Sequence, residues 1–330
     1  MVSLARSAAT PRFIRPMNPF RDWGAVANLM RVVFQSDVSA ASLPVFPDWP
    51  WLNWLRPVIS IFEALGMETP EQMLGYVWED SGRIVGNVTL GLSDAQHDTW
   101  LLSNVGVHPQ YRRRGIARAL VETAVNQTRG HGGKYLTLQV QSDNIEARGL
   151  YESLGFNTLE RTREFVGLSG VTAPLPVEGW RLQPPQREQW AVVRSMTAAH
   201  LPRALAAYKH SLAGYFQVPY RPGMLGEMAD LMRGVRLAKW CLVHEGAVAG
   251  GMLVQAHVSW GMHRVAIYVV PEARGAVEEK LVRQAMAYVQ RYASRRTQFL
   301  AAAEHVELAE VLRSHDFREG RTLDLMALTL

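Results

Sequence analysis

Four segments in the first half of this 330-residue chain return in the second half, in the same order. Phe13-Ile14-Arg15-Pro16 is echoed by Arg181-Leu182-Gln183-Pro184, and Gly82-Arg83-Ile84-Val85-Gly86 by Gly246-Ala247-Val248-Ala249-Gly250. Asn104-Val105-Gly106-Val107-His108-Pro109 is echoed by Ala266-Ile267-Tyr268-Val269-Val270-Pro271. Leu150-Tyr151-Glu152-Ser153-Leu154-Gly155-Phe156 is echoed by Val311-Leu312-Arg313-Ser314-His315-Asp316-Phe317. The separation is 168 residues at Pro16 and Pro184, and 164, 162 and 161 at the later pairs. A separation that shrinks so smoothly is what small deletions leave in a duplicated domain. It lies far above the roughly 20–50-residue period of stacked repeats. The chain must therefore build two similar domains, each with its own core, and its length allows this. The boundaries read as a loose arm at 1–11, a first domain at 12–168, a Gly- and Pro-containing linker at 169–179 and a second domain at 180–330.

Within the first copy, residues 13–16 read as a short strand. Residues 20–34 read as a helix with Trp23, Val26, Ala27, Met30 and Val33 on one face. Residues 75–79 and 83–92 form a hairpin turned at Asp80-Ser81-Gly82. A strand at 101–107, a helix at 116–128, a strand at 136–140, a helix at 145–154 and a strand at 160–166 follow. Residues 43–67 hold Phe46, Trp49, Trp51, Trp54 and Phe62 among four prolines. Asp48, Arg56, Glu63 and those prolines exclude a membrane-spanning helix. The aromatics read either as core or as the lining of a pocket or dimer contact.

Residues 105–120 concentrate the chemistry. A strand ends at Val107, Arg112, Arg113 and Arg114 follow, and a helix opens near Gly115, Ile116 and Ala117. Glycine lets a ligand approach the backbone closely. Free N–H groups and the dipole at a helix start favour an anion, and guanidiniums add charge-assisted bonds. The combination suits a pyrophosphate. The plainer alternative is a strand-to-helix turn with solvated arginines.

Downstream stand Asn144, Ala147, Leu150-Tyr151 and Gly155-Phe156. Together with Arg112-x-x-Gly115-x-Ala117 they resemble the GNAT superfamily of acyl-CoA-dependent N-acyltransferases. That family's acyl-CoA loop reads Arg/Gln-x-x-Gly-x-Gly/Ala, and its later segment Asn…Ala…Leu-Tyr-x-x-x-Gly-Phe. The resemblance covers residues 12–166. It implies an α/β (α+β) architecture of two tandem domains, similar to mycothiol-synthase-like members. Each domain would have a mixed, mostly antiparallel sheet flanked by helices, with a splayed central strand pair.

The same resemblance implies acetyl-CoA as cosubstrate and no metal. Pantetheine would lie along the main chain of Val105, Gly106 and Val107. The pyrophosphate would sit on the amides of Arg113, Arg114, Gly115, Ile116, Ala117 and Arg118, with Arg112 alongside. Asn144 would orient its loop or touch the cofactor. An acceptor amine would attack the thioester directly, with proximity supplying most of the rate. Tyr151 matches the family's general acid and also lies within the cofactor-binding set; its plainer alternative is a packed aromatic. The base stays open between Glu79 and a water relay. Members that modify protein N-termini carry Glu where this chain has Gln139, and the departure speaks against an acceptor of the ribosomal-protein type.

In the second copy the turn after Pro271 reads Glu-Ala-Arg-Gly-Ala-Val-Glu-Glu-Lys. By this alignment it is one residue shorter before its helix. Arg274-Gly275 survives, but Glu278 and Glu279 stand where the first copy is neutral or basic, and carboxylates there repel a pyrophosphate. Leu312 replaces Tyr151. The second domain is expected to be degenerate, leaving one active site per chain.

The net charge of +5 is spread over the chain apart from Arg112–Arg114 and the pair Arg161 and Arg163. No nucleic-acid-reading motif accompanies it, so a nucleic-acid partner is not expected. The single cysteine, Cys241, excludes an intrachain disulfide and a cysteine-rich zinc site and fits a reducing compartment. It lies in an apolar run at 238–243 and reads as a buried structural thiol. The first ten residues hold no apolar core segment, so a cytoplasmic protein with no membrane partner is expected. Its partner is a small-molecule or peptide amine, with a homodimer among the expectations. The rival reading is a non-catalytic acyl-CoA-binding sensor or scaffold, which needs no Tyr151.

Overall fold

The computed structural model of the chain describes residues 13–34, 73–92, 98–168, 170, 173–176, 178–202, 205, 211–216, 234–258, 261–292 and 295–330. The arm at 1–11, the aromatic segment at 43–67 and part of the linker lie outside the described residues. Contacts divide the chain into two compact units. One comprises residues 1–138, 149–156 and 327–330, the other 139–148 and 157–326.

The first unit begins with β1 (Ile14–Pro16), α1 (Pro19–Val33), β2 (Met73–Asp80) and β3 (Arg83–Leu92). β4 (Thr99–Val107), a 3-10 turn (Pro109–Tyr111), α2 (Ile116–Gly130) and β5 (Tyr135–Gln141) follow. Its strands lie in the order β1-β2-β3-β4-β5. The first three pairings are antiparallel and β4–β5 is parallel. Ser81 (φ 51°) and Gly82 (φ 76°) make the tight left-handed turn that their sequence favours. α1 buries Val26, Leu29 and Met30 against Val77. α2 buries Ile116, Leu120, Val121 and Ala124. Gly86 lets α2 settle onto β3, since a Cβ there would stand 2.9 Å from Ile116 Cγ2. β1 is tied to α1 by Arg15, which donates to buried Asp22 at 2.5 and 3.0 Å. That bond holds the Asp22 carboxyl far below the usual range, against the upward push of burial.

After α3 (Ile145–Ser153) come β6 (Asn157–Leu168), β7 (Trp180–Gln183), α4 (Arg187–Ala198), α5 (Leu212–Phe216), β8 (Val235–His244), β9 (Ala247–His257) and β10 (His263–Val269). A 3-10 turn (Pro271–Ala273), α6 (Glu278–Val289), β11 (Arg296–Ala302), α7 (Val306–Ser314) and β12 (Arg318–Thr329) complete the chain. The second unit repeats the first in detail. Glu245 (φ 48°) and Gly246 (φ 84°) reproduce the hairpin turn. The register shift at Leu242/Val243 reproduces the one at Trp78/Glu79. One face packs Val277, Leu281, Val282 and Met286 with Phe299 and Phe317. The other packs Trp190, Val193, Leu212 and Phe216 with Cys241 and Leu253. Cys241 is fully buried and its thiol is pushed up to about 12 by burial, so it is a packing residue. The strand that follows the first copy's motif in sequence, β6, pairs antiparallel with β11, from Thr162↔Ala302 to Leu168↔Arg296. No helix among the described residues is long and apolar enough to cross a membrane.

One buried carboxyl in this unit has no cation to balance it fully. Glu160 on β6 accepts the Leu212 N–H with both oxygens at 3.1 Å, and His200 Nε2 stands 4.0 Å away. Burial pushes its pKa up to about 7, the Leu212 N–H pulls it down and nearby Glu304 adds to the rise. A carboxyl whose folded pKa is raised is harmless below its ordinary value of 4.5 and costs stability as pH climbs to about 7. Glu160→Gln keeps an acceptor for Leu212 without the charge. It should unfold at nearly the same urea concentration as the wild type at about pH 4, and be more stable at about pH 8 by up to roughly 3 kcal/mol. Equal stability at the higher pH would show that Glu160 is solvated in the folded protein.

Candidate functional site

The site grows from one irregularity in β4. β4 pairs with β3 as Leu102↔Leu90 and Ser103↔Thr89, then resumes as Gly106↔Asn87 and Val107↔Gly86. Two residues, Asn104 and Val105, therefore face one, Val88. This is a β-bulge, and Asn104 takes the left-handed conformation (φ 51°) that asparagine tolerates better than most residues. Asn87, fully buried on β3, donates from Nδ2 to the Asn104 carbonyl at 3.0 Å. On the other side, β4 pairs with β5 only from Thr99↔Tyr135 to Leu101↔Thr137, a closed end reinforced by the Thr137 hydroxyl on the Trp100 carbonyl at 2.9 Å. Val105 is half-buried, and Gly106 and Val107 are buried.

Beyond Val107 the chain makes the 3-10 turn and then a run of exposed residues, Arg112 to Gly115. Arg112 is extended, Arg113 is left-handed (φ 63°), and Gly115, the N-cap of α2, is left-handed again (φ 78°). A Cβ built on Gly115 would meet nothing within 4 Å, so the backbone there faces open space. The main chain of this stretch is thus exposed at the head of a helix, where the dipole favours an anion. The N–H groups of Ile116, Ala117 and Arg118 head α2 and have no carbonyl one turn earlier in the helix to bind. Arg114 stacks over Tyr111 at 4.9 Å, and Arg118 donates to Ser153 Oγ at 2.7 Å, tying α2 to α3.

The remaining candidates separate. Tyr151 on α3 is 7% exposed and packs edge-on against Phe156 at 5.8 Å. Burial pushes its hydroxyl up to about 12, so it keeps its proton at neutral pH. Asn144 accepts the Ala147 N–H at 3.1 Å, the bond of a helix cap, and so holds the start of α3. Its loop is anchored by fully buried Asp324, which accepts from Ser142 at 2.5 Å and from Arg161 at 2.5 and 2.9 Å, with Arg148 Nε 3.0 Å away. Glu79 lines a cleft of about 710 Å³ with Arg15, Asp22, Arg83 and His108. Its Oε2 already accepts from Arg15 at 2.6 Å and Arg21 at 3.3 Å. Sequence reasoning proposed Glu79 as a base, and the structure gives it two guanidinium partners instead. That reasoning gave no role to Asn87 or Asn104, two asparagines in otherwise largely apolar strands. Among the described residues no group of three or more His, Cys, Asp or Glu could hold a metal ion.

The second copy corrects one reading of the sequence. Its turn is not shortened: Pro271 to Glu278 spans as many residues as Pro109 to Ile116. The residue missing after Pro271 falls instead between Glu278 and Arg296; a different one is lost from the strand before Pro271, because β9 and β10 pair in continuous register from Arg264↔Gln255 to Val269↔Gly250, without a bulge. Arg274 Nε reaches the Val269 carbonyl at 3.4 Å, as Arg112 Nε reaches Val107. Gly275 (φ 87°) then matches Arg113, and Val277 (φ −128°) replaces Gly115. The carboxylate of Glu278 folds back into its own turn. It accepts the Gly275 and Val277 N–H groups at 2.9 and 3.1 Å and meets His305, at the position of Asn144, at 2.7 Å. Both side chains are 2% exposed. Burial pushes the Glu278 pKa up, but the His305 bond and the N–H groups outweigh it and leave the carboxyl below its usual value. Where the sequence suggested two repelling carboxylates, one is a bound internal anion. Glu279 instead pairs with Arg283 and His315.

Comparison with known proteins gives three results. The acetyltransferase (GNAT) family model matches residues 34–156. An acetyltransferase of Yersinia pestis (strain Pestoides F) is 35% identical over 105 residues, 32% of this chain and 70% of that protein. The [ribosomal protein bS18]-alanine N-acetyltransferase of Escherichia coli (strain K12) is 32% identical over 95 residues, 29% of this chain. The chain spans 62% of that relative's length. A solved tandem GNAT protein from the clavulanic acid biosynthesis pathway aligns over 96% of this chain and 98% of its own, with TM-score 0.52 and 19% identity. At that identity the likeness is one of fold.

Removing the internal anion of the second copy should be costly. Glu278→Ala leaves the Gly275 and Val277 N–H groups and buried His305 without their acceptor. The expected loss is roughly 3–5 kcal/mol in urea unfolding, the cost of breaking a buried pair from one side. A loss below about 1 kcal/mol would mean that water already serves this turn.

Proposed function

This chain belongs to the acetyltransferase (GNAT) family, and on that premise we propose that its first copy transfers an acetyl group from acetyl-CoA directly to a primary amine. The observation that carries the reading is the exposed left-handed turn at Arg113 and Gly115, set at the head of α2. Diphosphate chemistry fits it: open space over Gly115, a helix start and adjacent guanidiniums. Arg112, Arg113, Arg114, Gly115, Ile116, Ala117 and Arg118 would hold the pyrophosphate of CoA, and the main chain of Val105, Gly106 and Val107 its pantetheine arm. Asn144 supports this indirectly, by capping the helix that carries Tyr151.

The thioester is the activated group that acetyl-CoA supplies. The acceptor nitrogen bonds to the acetyl carbon while the carbon–sulfur bond breaks. The sulfur leaves with the electron pair and takes a proton from the Tyr151 hydroxyl. The amine's proton leaves through water, because Glu79 is engaged by Arg15 and Arg21. Products are an acetylated amine and CoA. Small-molecule and peptide amines both fit this chemistry, and the E. coli relative acts on the alanine of a ribosomal protein. The single cysteine, buried and unpaired, suits work in the cytoplasm. Only the first copy takes acyl-CoA, since Glu278 holds the corresponding amides of the second.

Acetyl-CoA should raise the melting temperature of the wild type by mass action. A non-hydrolysable analogue should titrate calorimetrically to about one per chain. Gly115→Glu, which adds bulk and negative charge to exposed backbone, should abolish both signals. A variant that still shifts with acetyl-CoA would remove the pyrophosphate from this turn.

With an amine panel as acceptors and CoA release as readout, Tyr151→Phe should leave acetyl-CoA affinity intact. It should lower turnover roughly 10–100-fold, a low-end general-acid effect because water can substitute. Wild-type turnover at saturation would reduce Tyr151 to packing.

A further inference from the structure

The bulge in β4 is a backbone difference between the two copies, and it has a partner. In the first copy Asn104 and Val105 stand opposite Val88 alone. In the second, the corresponding strands pair residue for residue from Arg264↔Gln255 to Val269↔Gly250. The residue that faces the strand just past the bulge is Asn87, paired with Gly106. In the second copy that position is Gly251, paired with Tyr268. The bulged copy has an asparagine there, and the regular copy has no side chain at all.

Asn87 is built for this place. It is fully buried, and its Nδ2 reaches the carbonyl of Asn104 at 3.0 Å. A bulge leaves a carbonyl outside the ladder, and a buried carbonyl needs a donor. Asn104 is the only non-glycine residue inside a strand with positive φ, among the described residues. Thr89 completes the cluster, its hydroxyl 3.4 Å from Asn87 Nδ2 and 3.5 Å from Asn104 Nδ2. The Oδ1 of Asn87 is buried with no hydrogen-bond partner. An amide kept in the core with one end unsatisfied is a poor choice for stability alone. It makes sense when the other end has a task.

We infer that Asn87 is a positioning residue: its amide clamps the left-handed carbonyl of Asn104 and so sets the β4 backbone at Val105–Val107 along which the pantetheine arm of acetyl-CoA lies. This rests on the acyl-CoA reading of the first copy. The bulge turns the ladder groups of Val105 away from regular pairing, on the side where β4 has parted from β5. Without the clamp, residue 104 relaxes toward ordinary strand conformation and the backbone groups beyond it shift. The anion turn, built from residues 112–118, keeps its own geometry. Asn87 therefore affects the pantetheine end of the ligand and leaves the nucleotide end alone.

Two ligands separate those ends: acetyl-CoA, and adenosine 3′-phosphate 5′-diphosphate, which is CoA without pantetheine. In the wild type acetyl-CoA should bind the tighter. In Asn87→Ala the nucleotide should bind as before, while acetyl-CoA loses about tenfold. The melting temperature should change little, because the substitution removes the orphaned oxygen along with the clamp. Asn104→Gly, added to Asn87→Ala, should restore much of the loss, since glycine holds positive φ unaided. A purely structural role would lower the melting temperature and weaken both ligands together. If Asn87→Ala does not fold, Asn87→Ser, with a donor of shorter reach, should give the same selective loss in smaller measure. Equal loss of both ligands, no loss of either, or no rescue by glycine overturns the assignment. A wild type that binds acetyl-CoA no better than the nucleotide overturns the acyl-CoA reading itself, and this inference with it.

Discussion

A strand inside a sheet normally spends every N–H and C=O on its neighbours. β4 does not. It is held to β5 over three residue pairs at its start and to β3 through a bulge near its end. The half-buried main chain around Val105 is thus available to something other than a strand. The rest of the first unit supports that exception. Thr137 locks the closed end, Asn87 holds the bulge, and the turn beyond Val107 directs a second set of backbone donors outward. The chemistry proposed here needs little more from side chains than a proton from Tyr151, because a thioester already carries its leaving group.

The duplicated half shows what happens when the exception is withdrawn. Its strands pair in regular register, a leucine stands where Tyr151 was, and Glu278 has turned into the vacated turn. That carboxylate meets two backbone donors of the turn and hydrogen-bonds His305. A helix start stripped of its ligand would leave buried amides unpaired. An internal carboxylate meets the same requirement and closes the site in doing so. The fold survives because its core, from Leu281 and Val282 to Phe299 and Phe317, never depended on the ligand.

Much of this was legible in the chain. Ser81-Gly82 and Glu245-Gly246 announce tight hairpins because glycine takes positive φ. The arginine-glycine run announces an exposed turn at the head of a helix, because glycine takes positive φ and arginines favour solvent. Local signals of this kind depend on neighbours in sequence. The surroundings of Glu79 were not legible for the opposite reason: a carboxylate on a strand shows no partners until Arg15 and Arg21 arrive from β1 and α1.

By itself the sequence determined that there are two copies of one domain and where the Ser81-Gly82 turn falls. Those properties follow from backbone preferences and residue order. The tertiary structure decided the rest. It showed that the second copy lacks the strand residue that makes the first copy's bulge, since register is set by cross-strand pairing that no spacing reveals. It paired β6 with β11, because a sheet edge recruits whichever strand can complete its ladder. And it made Glu278 a bound anion instead of a repelling one, because the direction of a side chain is settled only when its donors close around it.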